Sequence, residues 1–163
     1  MTMIRSARMS DVPDIHRLIT HHAEFNRMLF RSHADLYEHL RDFFVCLEPP
    51  PAGEGGAGSD RVVGCAALEL VWRDLAEIKS LAVDEDYRGR GVGTQLVQAA
   101  IAEGRRLGLD RIFALTREQH FFERLGFSIV PKETLPHKVW TDCVRCPLQE
   151  HCDEIAVVLQ LET

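Results

Sequence analysis

Leu81-Ala82-Val83-Asp84-Glu85-Asp86-Tyr87-Arg88-Gly89-Arg90-Gly91-Val92-Gly93-Thr94 decides how this 163-residue chain is read. An apolar strand ends at Val83 and a helix opens after the glycines, so the glycine run sits on a strand-to-helix turn. The first N–H groups of a helix have no intrahelical partner and carry partial positive charge. They favour an anion, and glycines let phosphate oxygens approach the backbone. The run therefore reads as a phosphate cradle. Its spacing argues against two common alternatives: there is no GxxxxGK[ST], and no GxGxxG, because Leu96 stands where the last glycine would fall. A tight turn with no ligand would use the same glycines, so the surrounding sequence must decide.

Downstream, Val92, Leu96, Val97, Ala100 and Ile101 recur at helical spacing and predict a helix to about Leu107, with Gly108 as its C-terminal cap. Arg111 to Leu115 reads as a strand and Glu118 to Leu125 as a short helix ended by Gly126. Phe127 to Val130 and Ile155 to Leu161 supply the last two strands. Upstream, Leu75 to Val83 and Arg61 to Trp72 are apolar enough for central strands, joined by a turn at Arg73-Asp74. Phe43 to Leu47 is a further strand, and Glu48 to Asp60 is too rich in Pro and Gly for regular structure. Met3 to Ala7 reads as the first strand. Ser10 is the expected N-cap and Pro13 lies in the first turn of a helix reaching about His22. Val12, Ile15, Leu18 and Ile19 form its apolar face, and His21-His22 reads as polar helix surface. A second helix is expected from about Ala34 to Asp42. The sum is an α/β (α+β) fold: a mixed sheet of about seven strands flanked by about four helices, in one domain over residues 1–163.

A net charge of -6 and a pI near 5.7 argue against general nucleic-acid binding, which needs a basic face. The first ten residues lack the apolar run of a signal peptide, and no stretch approaches the roughly 18 apolar residues of a membrane span. A cytoplasmic protein with a small-molecule substrate is expected, with no nucleic-acid or membrane partner; a homodimer is left open. Five cysteines without a secretion signal fit reduced thiols or a metal better than a disulfide framework.

Arg88-x-x-Gly91-x-Gly93, preceded by Leu81-Ala82-Val83 and Tyr87, resembles the acyl-CoA signature of the GCN5-related N-acetyltransferases, the GNAT family. Phe121-Phe122-Glu123-Arg124-Leu125-Gly126-Phe127 is similar to that family's FYxxxGF segment, and the element order agrees over nearly the whole chain. The resemblance implies acetyl-CoA as co-substrate, held by two splayed parallel strands, Leu75 to Val83 and Arg111 to Leu115. The pantetheine arm would bond to backbone at Leu81, Ala82 and Val83. The pyrophosphate would rest on Arg88, Gly89, Arg90, Gly91, Val92, Gly93 and Thr94, with Phe122 beside the coenzyme.

The reaction so implied is attack of a neutral amine on a thioester, which requires a base for the ammonium proton. Strand alternation puts Glu77, Lys79 and Leu81 on one face and Ile78, Ser80 and Ala82 on the other, barring a bulge. Glu77 falls where several family members carry a catalytic glutamate, so it is the expected base. A salt-bridged carboxylate next to Lys79 is the plain alternative. The family's usual acid is a tyrosine, and its place here is taken by Phe122. Ser80 or a water would then protonate the thiolate, or it would leave unprotonated.

Thr116-Arg117 before the Phe121-Phe122 segment resembles the short bacterial N-acetylglutamate synthases, which act first in arginine biosynthesis. So does the tail Lys138-Val139-Trp140-x-x-Cys143-x-x-Cys146-Pro147 with Cys152-Asp153-Glu154. Glutamate brings two carboxylates, and arginine offers a planar fork for one of them. Arg117 is the first choice for that role, Lys79 the second and Arg31 the third. Longer synthases add an amino-acid-kinase-like domain for feedback by arginine, for which 163 residues leave no room. Cys143, Cys146, Cys152 and His151 have the ligand types of a zinc site, but structural zinc sites usually pair two CxxC knuckles and only one is present. Reduced thiols over an active-site loop are the preferred reading. Two rivals stay open: a transferase for another amine (a protein N-terminus, an antibiotic, a different amino acid), and an acyl-CoA sensor whose chemistry is lost.

Overall fold

The computed structural model describes residues 2–25, 27–49, 60–135 and 154–161. Its strands are β1 (Met3–Ser6), β2 (Phe43–Glu48), β3 (Arg61–Trp72), β4 (Leu75–Val83), β5 (Arg111–Thr116), β6 (Ser128–Val130) and β7 (Ile155–Gln160). Its helices are α1 (Val12–Glu24), α2 (His33–Glu38), α3 (Val92–Leu107) and α4 (Gln119–Arg124). The strands form one mixed sheet in the order β1-β2-β3-β4-β5-β7-β6. This is the α/β architecture expected, with most element ends shifted by no more than a residue or two. The Cys143, Cys146, Cys152 and His151 cluster lies outside the described residues.

Two compact units divide the chain. The first comprises Met1–Ala67 and Ser80–Ala100, the second Leu68–Lys79 and Ile101–Thr163. In the first unit β1 pairs antiparallel with β2, and β2 with β3. Strand residues alternate between two apolar layers, as a sheet covered on both faces requires. One layer joins Val12, Ile15, Leu18 and Ile19 of α1 to Leu36 of α2 and to Val45, Leu47, Cys65 and Ala82 of the strands. The other joins Val92 and Leu96 of α3 to Cys46, Val63 and Ala66, with Leu81, Val83 and Tyr87 packed against them. Each fully buried aliphatic chain of these layers contributes roughly 1.5–3 kcal/mol.

Gly64 makes the second layer possible. A Cβ there would stand 2.7 Å from Val92 Cγ1 and 3.0 Å from Leu96 Cδ1, so the first turn of α3 lies directly on bare β3 backbone. Cys46 and Cys65 are fully buried in the same unit. Burial pushes the Cys65 thiol up to about 12 and raises that of Cys46 as well.

The start of α1 differs from expectation. A single 3-10 turn (Met9–Asp11) precedes it, and Asp11, not Ser10, occupies the N-cap position. Asp11 is buried, where a carboxylate must be paired. It accepts from the Arg8 N–H at 2.7 Å and from both terminal nitrogens of Arg5, at 2.6 and 3.1 Å. In α2 the cap is Ser32, whose Oγ accepts from the Asp35 N–H, and the helix stops at Glu38 instead of running on to Asp42. A separate 3-10 turn covers Leu40–Asp42.

In the second unit β4 and β5 are parallel, with Leu75 opposite Arg111, Ala76 opposite Ile112 and Glu77 opposite Phe113. Strand β7 runs antiparallel between β5 and β6. Leu75, Phe113, Leu135, Ala156 and Val158 form its apolar layer. Among the described residues no helix is long and apolar enough to cross a membrane.

Candidate coenzyme and acceptor site

The glycine run is in the first unit and takes the form its sequence asks for. Strand β4 ends at Val83, Asp84 caps a 3-10 turn over Glu85–Tyr87, and α3 begins at Val92. Gly89 and Gly91 have φ of +77° and +82°, a conformation that side chains with a Cβ rarely adopt. A Cβ at either position would meet nothing within 4 Å, so packing does not demand these glycines. The turn needs their backbone angles, and the space beside them is open. The Gln95 N–H donates to the Gly91 carbonyl at 3.0 Å, joining the turn to α3. The N–H groups of Val92, Gly93 and Thr94 precede it and belong to the unpaired first turn of a 16-residue helix. That fits a pyrophosphate.

Leu81 and Val83 pack beside Val92 and Leu96, while the Ala82 methyl lies in the opposite layer. Whatever Ala82 offers a ligand is therefore backbone. Arg88 is half exposed and pairs with Glu85 at 3.4 Å; the Arg90 guanidinium lies over the Tyr87 ring, 4.9 Å from its centre. Arg27 and His21 also reach Glu85 Oε1, at 2.5 and 3.3 Å. The Arg27 bond, above all, pulls the Glu85 carboxyl down to about 2.

His22 corrects the sequence reading. It is buried, not surface, and its Nε2 lies 2.9 Å from the Val83 carbonyl oxygen. Its Nδ1 lies 3.2 Å from Arg27 Nη1. Burial, and then the Arg27 charge, hold the imidazole below its usual range against the Val83 bond, which favours protonation. The signal was present in the sequence: 15, 18, 19 and 22 continue one helical stripe.

Ser80 is the only non-glycine residue with positive φ (55°) among the described residues. Regular alternation along β4 stops there, so the parity of Glu77 and Lys79 does not carry through to Leu81. The Ser80 hydroxyl accepts from Arg31 Nη1 at 3.3 Å. Arg31 is mostly buried, bonds Asp35 at 2.5 Å and lies over the Phe43 ring, 5.1 Å from its centre. The last-ranked basic residue thus meets a candidate catalytic group in its own unit.

The other candidates belong to the second unit. Glu77 is buried at the last position of β4 that pairs with β5. Lys79 pairs with Glu69 at 2.9 Å. Arg117 is exposed at the turn after β5, where the Thr116 hydroxyl accepts from the Glu118 N–H at 2.8 Å. Phe122 is buried and packs edge-on against Phe121 and Phe127, with ring centres 5.0 and 5.1 Å apart.

Residues 14–127 match the model of the Acetyltransferase (GNAT) family. The chain is 41% identical over 160 residues to an N-acetyltransferase of Chlorobaculum tepidum, covering 98% of this chain and 97% of the relative. It is 36% identical over 143 residues to an amino-acid acetyltransferase of Mycobacterium tuberculosis, covering 88% and 78%. The fold matches N-acetylglutamate synthase from Neisseria gonorrhoeae complexed with coenzyme A and N-acetyl-glutamate. That match has a TM-score of 0.84 and 27% identity, and covers all of this chain and 36% of that one.

Proposed function

The chain belongs to the GNAT acetyltransferase family, an acetyl-CoA-dependent N-acetyltransferase, and from that premise we propose that its acceptor is the α-amine of L-glutamate. The observation that carries the acceptor class is the extent of its likeness to an amino-acid acetyltransferase, which spans most of both chains. The gonococcal synthase holding N-acetyl-glutamate supports glutamate within that class.

In this reading the coenzyme lies along Leu81 to Val83 with its pyrophosphate on Arg88 to Thr94. Glu77 takes a proton from the incoming ammonium, directly or through a water, and the freed amine attacks the thioester carbonyl. The tetrahedral intermediate collapses with cleavage of the carbon–sulfur bond, and the products are the N-acetylated amino acid and free coenzyme A. Phe122 has no hydroxyl to protonate the thiolate. Ser80 is the candidate donor, and its contact supports this: a hydroxyl that accepts from Arg31 keeps its own proton to donate. Arg117, Arg31 and Lys79 are the candidates to bind the acceptor carboxylates.

The test is release of coenzyme A thiol with a panel of amino acids. Glutamate giving the highest kcat/KM supports the proposal. A preference for another amine transfers the reading to that acceptor. Silence with every amine supports the sensor, the alternative favoured by a buried phenylalanine where a tyrosine would supply the acid. Arg117→Ala and Arg31→Ala should each raise the glutamate KM by roughly 10- to 100-fold, the weight of a charge-assisted carboxylate contact, with a much smaller change for acetyl-CoA. Equal changes in both KM values would remove the residue from the acceptor pocket.

A further inference from the structure

We infer that His22 is a positioning residue for the coenzyme: it holds the Val83 carbonyl, and with Arg27 and Glu85 it ties the end of β4 to the first residue of the anion cradle. This rests on the reading of Leu81–Val83 and Arg88–Thr94 as the coenzyme A site, and goes beyond it by assigning a role to the end of α1.

The bonding fixes the state of the ring. A carbonyl oxygen only accepts, so His22 Nε2, 2.9 Å from the Val83 oxygen, carries a hydrogen. A guanidinium only donates, so His22 Nδ1, 3.2 Å from Arg27 Nη1, carries none. One neutral tautomer satisfies both partners. From Arg27 the chain of contacts passes to Glu85 Oε1 at 2.5 Å, and from Glu85 Oε2 to Arg88 Nη1 at 3.4 Å. Val83 and Arg88 are thereby tied together, through one imidazole, one guanidinium and one carboxylate, across the turn that leads into the cradle.

This role is separable from packing. His22 is buried at the end of the α1 apolar stripe, so a leucine of similar bulk fills the space while removing the donor. A merely packed residue would accept that exchange. A residue that aims the Val83 peptide would not, and a glutamine, whose amide N–H can reach where Nε2 stood, would restore the function.

The experiment is calorimetric binding of coenzyme A to the full chain, with thermal melting as the check on folding. His22→Leu is expected to weaken binding about tenfold, and His22→Gln to stay within about threefold of wild type. A folded His22→Leu with unchanged affinity overturns the inference, as does a glutamine variant as weak as the leucine one. If His22→Leu does not fold, Arg27→Gln decides, since that side chain is partly exposed: about threefold weaker binding supports the network, and unchanged binding overturns it. Gly91→Val in parallel separates the two levels. Weak binding there with unchanged His22→Leu overturns the role of His22 alone, whereas unchanged binding by both removes the coenzyme reading itself.

Discussion

Glu77→Gln should lower kcat by roughly 10²- to 10⁴-fold, the usual contribution of a positioned general base. The argument is one of chemistry and burial together. An amino-acid amine is an ammonium at neutral pH and cannot attack a thioester until it loses a proton. Glu77 is a buried carboxylate at the last parallel pair of β4, and glutamine keeps its size and its hydrogen-bonding oxygen while removing the basicity. Two measurements accompany the rate. Coenzyme A affinity should be unchanged, because the proposed contacts with the coenzyme come from Leu81 to Val83 and Arg88 to Thr94 and the substitution keeps the size of Glu77. The pH dependence of kcat/KM should lose the limb that reports the base, leaving a variant whose slow rate tracks the free amine alone. A variant with wild-type kcat and an unaltered pH profile would show Glu77 to be structural.

Gly91→Val is expected to raise the acetyl-CoA KM about 100-fold, or about 2.7 kcal/mol of binding. Two effects add. The φ of +82° is costly for any L side chain and worst for a branched one, so the turn shifts and the N–H groups of Val92 to Thr94 no longer converge. The Cβ also projects into the open space beside the turn, where a phosphate oxygen would lie. The strained φ should cost some stability too, but because that space holds no protein atom within 4 Å no packing clash adds to it, and the loss of affinity should exceed the loss of stability. A large loss of stability with intact affinity would mean that the glycine serves the turn and not a ligand.

The elements most legible in the sequence were those whose local signals and packing agree. The apolar runs placed β3 and β4 to the residue and the 3.6-residue stripe located α3, because each is buried on a whole face or stripe and leaves its pattern in the chain. The glycine turn was legible for the same reason: positive φ needs glycine, and glycine is visible. What was hidden depended on contacts between distant residues. Ser10 has the chemistry of a cap, but Arg5 draws Asp11 into that position from across the turn. His22 looked polar because its partner is a carbonyl 61 residues away. Ser80 in positive φ gave no warning, as a serine in a run such as Glu77-Ile78-Lys79-Ser80-Leu81 looks like any strand residue. The contact of Arg31 with Ser80 was hidden for the same reason, since it joins positions 49 residues apart.

Cys46 and Cys65 have a practical consequence of a different kind. Both thiols are sealed in the first compact unit and held in the protonated, unreactive form by burial. A thiol reagent can reach them only when that unit opens, so their rate of labelling is a clock for its opening. Coenzyme A, itself a thiol, would be replaced in such an experiment by a thioether analogue. Binding at the glycine turn would slow the clock in proportion to occupancy, giving a read-out of ligand affinity that requires no turnover and no knowledge of the acceptor.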